Sequence, residues 1–297
     1  MSDHNIVATL ISNPAKPGLT SALLQKAAEA LHSPSRMNIL HEGVAADLVF
    51  TPRDSAPAER LRAALADAPL DIIIQPLAQR RKKLFLADMD STMIGQECID
   101  ELADLVGVKA HVAAITERAM RGEIAFEPAL RERVALLKGL SAGVVRRVID
   151  ERITLTPGGS ALVRTMRAHG AYTALVSGGF TLFTGTIGPM IGFDEHRSNL
   201  LEIENGLFAG TVAEPILGQQ AKLTTLIELR TKFALEPHET MAVGDGANDL
   251  AMLGEAGLGV AFYAKPKVAQ AAHARIDHSD LTALLYAQGY RFAEFVN

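Results

Sequence analysis

The chain carries a single cysteine, Cys98, and no stretch of eighteen consecutive apolar residues. A lone cysteine excludes an internal disulfide framework and suits a reducing compartment. Without a long apolar stretch there is no ordinary membrane-spanning helix. The amino terminus lacks the charged-then-apolar order of a secretory leader, so a cytoplasmic protein with no membrane association is expected. Charge of one sign is also scarce: 29 Lys and Arg stand against 34 Asp and Glu, a formal net charge of −5. That balance leaves no general footprint for nucleic acid. The one basic run, Arg80–Arg81–Lys82–Lys83, reads as a solvated linker. Histidines fall at no metal-ligating spacing, and His273 and His278 read as surface residues. Cys98 reads as a small apolar side chain rather than a nucleophile. Internal repeats and low-complexity tracts are absent. The 297 residues suffice for about two domains with a sizeable core.

What is present begins with Leu84–Phe85–Leu86–Ala87, a short buried strand by its four apolar residues. Asp88 and Asp90 follow, then Ser91 and Thr92. In a strand-like backbone, positions i and i+2 project to one side. The two carboxylates therefore share a small volume and repel unless a cation or a shared proton intervenes. A divalent metal with a phosphoryl group is one resolution, with one carboxylate as nucleophile and the other as acid and base. An Asp-rich turn capping a strand is the other reading of this pair alone.

Two further segments favour phosphoryl chemistry. Met241–Ala242–Val243 is a second apolar run, followed by Gly244–Asp245–Gly246–Ala247–Asn248–Asp249 and a helical pattern. If the strands are parallel neighbours, Asp245 reaches the crevice of Asp88. Between them, Tyr172–Val176 leads into Ser177–Gly178–Gly179–Phe180, a small-residue turn suited to phosphate oxygens at a helix start. Lys222 stands between this turn and the second acidic segment.

These segments resemble the haloacid dehalogenase superfamily of phosphotransferases, in the branch that acts on phosphoserine. The resemblance rests on Asp88–Met89–Asp90–Ser91–Thr92 with Glu97 downstream, Leu130–Arg131–Glu132–Arg133–Val134, Val176–Phe180, Lys222 and Gly244–Asp249. It covers roughly residues 80–290 with no departure at these positions, and is looser before them. It implies that Asp88 attacks phosphorus and forms an aspartyl-phosphate. Asp90 then serves as acid for the leaving alkoxide and as base for water. By resemblance, Mg²⁺ is held by the Asp88 and Asp245 carboxylates and the Asp90 main-chain carbonyl. Ser177 and the Gly178 N–H bind phosphoryl oxygens, and Lys222 supplies a fixed positive charge. Asn248 touches substrate, and Asp249 orients Lys222 or a metal-bound water. Glu97 and Arg133 bind the ammonium and carboxylate of a phosphorylated amino acid, with Met120 and Phe126 as apolar walls. The implied activity is Mg²⁺-dependent hydrolysis of O-phospho-L-serine, the last step of phosphorylated serine biosynthesis. Two readings stay open beside it: another small phosphomonoester as substrate, or an amino-acid sensor without catalysis. A homodimer is compatible with the sequence, which does not fix the oligomeric state.

The expected fold class is α/β, a doubly wound parallel sheet with a helical cap, preceded by a small ferredoxin-like α+β domain. Residues 1–80 alternate as β-α-β-β-α-β and weakly resemble an ACT-type module. Their loop Pro14–Gly18 is a turn or, by analogy, a ligand site. Residues 81–297 carry candidate strands Leu84–Ala87, Tyr172–Val176, Met241–Val243 and Leu258–Phe262. About 80 residues separate the first two strands, far more than a crossover needs. The excess, about 95–150, is helical in pattern and reads as a cap that excludes water and meets the substrate beyond its phosphate. Asn205–Gly206 between alternating runs predicts a hairpin.

Overall fold

In the computed structural model, residues 5–296 are described apart from Ser33, Arg53, Ser55, Arg121, Gly122 and the side chain of Met120. The first 76 residues form β1 (Ile6–Ser12), α1 (Ser21–Ala30), β2 (Arg36–His41), β3 (Ala45–Phe50), α2 (Pro57–Ala64) and β4 (Leu70–Pro76). The strands pair antiparallel in the order β2-β3-β1-β4, the ferredoxin-like arrangement expected from the alternation. Thr20 caps α1 by accepting the Leu23 N–H. Ala8, Leu10, Ala46 and Leu48 pack under Ala27 of α1 and Leu61 of α2. Ile11, Ala45 and Ile73 face the other way and join the main core of the molecule. The 13–18 loop closes as a turn: Asn13 accepts the Ala15 N–H on its side chain and the Lys16 N–H on its carbonyl.

The chain then forms β5 (Leu84–Ala87) and four helices: α3 (Cys98–Leu105), α4 (Lys109–Met120), α5 (Phe126–Ala135) and α6 (Val144–Arg152). There follow α7 (Gly159–Ala168), β6 (Tyr172–Phe180), α8 (Thr181–Ile191), β7 (Glu195–Asn199), β8 (Leu201–Glu204), β9 (Leu207–Val212) and α9 (Gln219–Lys232). The last elements are β10 (Thr240–Gly244), α10 (Leu250–Glu255), β11 (Leu258–Phe262), α11 (Pro266–Ala271), β12 (Ala274–Ile276) and α12 (Ala283–Ala287). Six parallel strands run in the order β12-β11-β10-β5-β6-β7. The sheet is buried on both faces, as β5 illustrates. Leu84 and Leu86 pack with Leu226 and Leu229 of α9, while Phe85 and Ala87 pack with Leu162 and Phe183 of α7 and α8. Two strands escape the sequence reading, β7 and β12, and both are edges. Glu-His-Arg-Ser-Asn of β7 is half solvated, so it has no apolar run to announce it.

The helical insertion joins the sheet through two paired linkers. Ile94 bridges Leu155, Gly95 donates to the Thr154 carbonyl, and Thr156 donates to the Met93 carbonyl. The β8–β9 hairpin turns at Asn205 (φ 51) and Gly206 (φ 79), the primed turn that Asn-Gly favours. Its tip docks on the insertion: Gly139 donates to the Phe208 carbonyl, Phe208 to that of Leu140, and Ala142 to that of Gly206.

The basic run Arg80–Lys83 is not a solvated linker. Arg80 pairs at 2.7 Å with Asp47, whose side chain is wholly buried and also accepts the Thr9 hydroxyl. Arg81 lies 3.4 Å over the Tyr290 ring. Lys82 is 6% exposed and donates to the Gln79 and His238 carbonyls. Only Lys83, paired with Glu239, keeps a mostly solvated side chain. Together with Asp71 of β4, which accepts the N–H groups of Asp277, His278 and Ser279, the run fastens the first sheet to the carboxyl-terminal part of the chain. Among the described residues, no helix is long and apolar enough to cross a membrane.

Candidate active site

Loops leaving the carboxyl ends of β5, β6 and β10 open into one crevice, where the neighbouring connections diverge to opposite sides of the sheet. Asp88 ends β5, and its N–H donates to Val243 of the adjacent strand. Asp88 Oδ1 accepts the Met89 N–H at 2.7 Å and lies 2.7 Å from Lys222 Nζ. Lys222 sits in the first turn of α9 with no exposed surface, and its Nζ is also 2.7 Å from Asp249 Oδ1. Burial alone would strip the proton from this lysine, but the Asp249 and Asp88 charges outweigh it and hold the proton more tightly than usual. Gly244 permits the close approach: a Cβ there would lie 2.3 Å from Asp249 Cγ.

The acidic group that gathers here is Asp88, Asp245 and Asp249, with one carboxylate oxygen of each within 4.8 Å of the others. Burial, then the Asp88, Asp249 and Glu97 charges, pushes the Asp245 carboxyl up to about 7. Burial and Asp88 raise Asp249 as well. Crowded carboxylates with raised proton affinity and only oxygen donors fit a hard divalent cation such as Mg²⁺ or Ca²⁺. The sequence named Asp88, Asp90 and Asp245 for that task. By resemblance Asp90 contributes its main-chain carbonyl there; the third carboxylate gathered with those of Asp88 and Asp245 is that of Asp249.

Asp90 Oδ2 accepts the Cys98 N–H at 3.4 Å and faces Gly179, while Oδ1 is buried with no hydrogen-bond partner. Burial, then the Glu97 and Asp88 charges, lifts the Asp90 carboxyl well above the usual carboxylate range. Ser91 next to it takes a left-handed backbone (φ 55), which folds the chain back so that its hydroxyl donates to Glu97 at 2.7 Å. Glu97 is exposed to solvent, and the protein packed around it raises its carboxyl. Cys98 is buried beside Asp90, as a small apolar side chain would be. Burial and the Asp90 charge raise its thiol.

At the end of β6, Ser177 is buried and its Oγ accepts the Gly179 N–H at 2.9 Å, leaving the hydroxyl proton to point elsewhere. Phe126 of α5 covers Gly178, where a Cβ would meet its ring at 3.2 Å. Met120, expected beside it, has its side chain outside the described residues. Arg133 of α5 is half buried and donates to the Ala129 carbonyl and the Thr116 hydroxyl. Burial lowers its proton affinity, against the opposing charges of Glu97, Asp100 and Asp90. Asn248 is half buried, with its side chain over Gly246.

The sequence profile of the haloacid dehalogenase-like hydrolases matches residues 85–254, more than half of the chain. The chain belongs to this family. A phosphoserine phosphatase of a Polaromonas species is 47% identical over 208 residues, covering 68% of this chain and 88% of that protein. A probable phosphoserine phosphatase from Vibrio cholerae, solved without ligand, superposes with a TM-score of 0.78 at 31% identity. That match covers 98% of this chain and 88% of the other. A phosphoserine phosphatase solved as a phospho-aspartyl intermediate analogue gives a TM-score of 0.65 at 39% identity, over 69% of this chain and 98% of that one. This member of the hydrolase family is a phosphatase.

Two residues of the site went unread in the sequence. Asn199 is buried at the end of β7; it donates to the Gly178 and Leu217 carbonyls and accepts the Leu217 N–H. It thereby joins the small-residue turn to the approach of α9. Thr116 touches Arg133 from α4. Neither lies in a motif, and each acts on a partner at least 17 residues away.

Proposed function

We propose that this phosphatase hydrolyses O-phospho-L-serine to L-serine and phosphate through an aspartyl-phosphate on Asp88. One observation carries the substrate assignment: Glu97 and Arg133, on the helical insertion, share the electrostatic neighbourhood of Asp90 at the mouth of the crevice. A zwitterion needs one anion and one forked cation, and arginine suits a carboxylate. The names of the relatives support the same substrate, and the phospho-aspartyl analogue of one supports the intermediate. In this reading residues 1–80 form one unit and 81–297 another, with about 95–150 as its cap.

Asp88 Oδ1 is occupied by Met89 N–H and Lys222, so Oδ2 makes the in-line attack on phosphorus. Lys222 holds the nucleophile's orientation and screens its charge from the approaching dianion. Ser177 and the Gly178 N–H receive phosphoryl oxygens, and Phe126 closes that end against water. Burial and its acidic neighbours favour the protonated form of Asp90, which gives its proton to the serine alkoxide as the P–O bond breaks. The same carboxylate then takes a proton from the water that attacks the aspartyl-phosphate. Asp88 and Asp245, with the Asp90 main-chain carbonyl, would hold Mg²⁺, which supplies charge neutralisation for an anion attacked by an anion. Asp249 holds Lys222 in place, and Asn248 meets the substrate.

A phosphate-release screen with and without Mg²⁺ tests this reading. Phosphoserine is expected to be the best substrate among phosphoserine, phosphothreonine and sugar phosphates. A sugar phosphate in first place would replace the amino-acid assignment. No release from any of them would favour the sensor reading.

A further inference from the structure

The donors of Arg133 can be counted. Its Nε donates to the Ala129 carbonyl of its own helix at 3.2 Å, and Nη1 donates to Thr116 Oγ1 at 3.2 Å. The Thr116 hydroxyl donates in turn to the Val112 carbonyl at 3.1 Å. That back-bond uses the only hydroxyl proton, so the oxygen can meet Arg133 only as an acceptor. A guanidinium has five N–H groups in one plane. Two are taken, and among the described residues the other three, both of those on Nη2 included, have no protein partner. Bonds from Nε and Nη1, two different corners of a planar group, set its rotation as well as its position. A residual fork is the geometry that bidentate carboxylate recognition uses.

We propose that Thr116 is a positioning residue for substrate selection: its hydroxyl oxygen locks the Arg133 guanidinium so that the free N–H fork meets the substrate carboxylate. Thr116 reaches neither substrate nor the reacting atoms, and it acts through Arg133. The inference rests on the assignment of Arg133 to a substrate carboxylate.

The test compares phosphoserine with phosphoethanolamine, which keeps amine and phosphate but has no carboxylate. Thr116→Val keeps the shape and removes the acceptor. KM for phosphoserine is expected to rise about tenfold, the scale of a lost hydrogen bond to a charged group, with kcat little changed. Kinetics on phosphoethanolamine are expected to stay as they were, and Thr116→Ser, which restores the oxygen, to return the phosphoserine KM to near the wild-type value. Thr116→Ala repeats the measurement should the valine variant fold poorly. If Arg133→Ala collapses the preference for phosphoserine but the Thr116 variants do not, the positioning role is overturned and the substrate reading stands. If Arg133→Ala leaves the preference intact, the substrate reading falls and the Thr116 role with it. Equal losses on both substrates in Thr116→Val would mark a general structural role and also overturn the proposal.

Discussion

Removing divalent metal is expected to make the stability of this protein fall as pH rises, with the steepest change between about pH 4 and 7. Asp245 is the principal reason. Its carboxyl stands at about 7 in the fold against an ordinary 3.8. Through that window the folded chain binds a proton that the unfolded chain has released, so the advantage of the folded state is greatest below about pH 4 and is lost as pH passes 7. At about 1.4 kcal/mol per pH unit, this single group costs the metal-free fold on the order of 4 kcal/mol at pH 8. Asp249, Asp90 and Glu97 are all raised by burial and add in the same direction. A bound cation stabilises the charged carboxylates and removes most of this cost. The assay is thermal unfolding of metal-stripped protein from pH 5 to 8, with and without millimolar Mg²⁺. Tm is expected several degrees lower at pH 8 than at pH 5 without metal, with the gap narrowed by Mg²⁺. The Asp245→Asn variant separates this cause from others. It is expected to be more stable than wild type at pH 8 without metal, to respond little to Mg²⁺, and to be inactive. A flat or rising metal-free profile, or an Asp245→Asn protein less stable than wild type at pH 8, would refute the reasoning.

Asp88→Asn is expected to cut turnover by several decades while the far-ultraviolet circular dichroism stays unchanged; beryllium fluoride trapping on wild type should label Asp88, and labelling of another residue would overturn the covalent step. Asp90→Asn should slow phosphoserine far more than p-nitrophenyl phosphate, whose phenolate leaves without a proton, and equal losses would remove its role as acid. Arg133→Ala should lose about 2–5 kcal/mol in kcat/KM for phosphoserine, the scale of truncating a buried charge pair, and little for phosphoethanolamine. Asp71→Ala should leave three main-chain N–H groups unpaired at the junction of the two sheets. A loss of about 2–4 kcal/mol by denaturant titration is expected, and no change would mean that the junction contributes nothing measurable.

Where structure follows local pattern, the sequence was informative. Leu84–Ala87 placed the strand that presents Asp88, and Asn205–Gly206 placed the hairpin turn. The stretch of about 95–150, helical in pattern, does fold as helices, and α3, α5 and α6 each bury an apolar stripe and expose the rest. What was illegible depends on distant partners. Arg80 reads as solvated until Asp47, 33 residues earlier, folds beside it. The pairing of Asp249 with Lys222 comes from the resemblance and not from local pattern, since 27 residues separate them. The strands β7 and β12 lie at sheet edges, where no apolar run is required. The carboxyl pair Asp88 and Asp90 shares one crevice, but the chain turns at Ser91 and gives the two side chains separate surroundings. Strand periodicity alone could not show that divergence.

The docking of the β8–β9 hairpin on the helical insertion gives the cap a third mounting point. Two linkers attach it to the sheet near Gly95 and Thr154, and three main-chain hydrogen bonds attach it to the hairpin tip. A lid on two hinges swings about the line between them; a lid held at a third, off-axis point does not. Opening must either tear those three bonds or drag the hairpin along and flex its roots. One root is Asn199, which also grips the Gly178 carbonyl and the Leu217 main chain. Displacing the insertion from the sheet would therefore load the Ser177–Gly179 turn through Asn199.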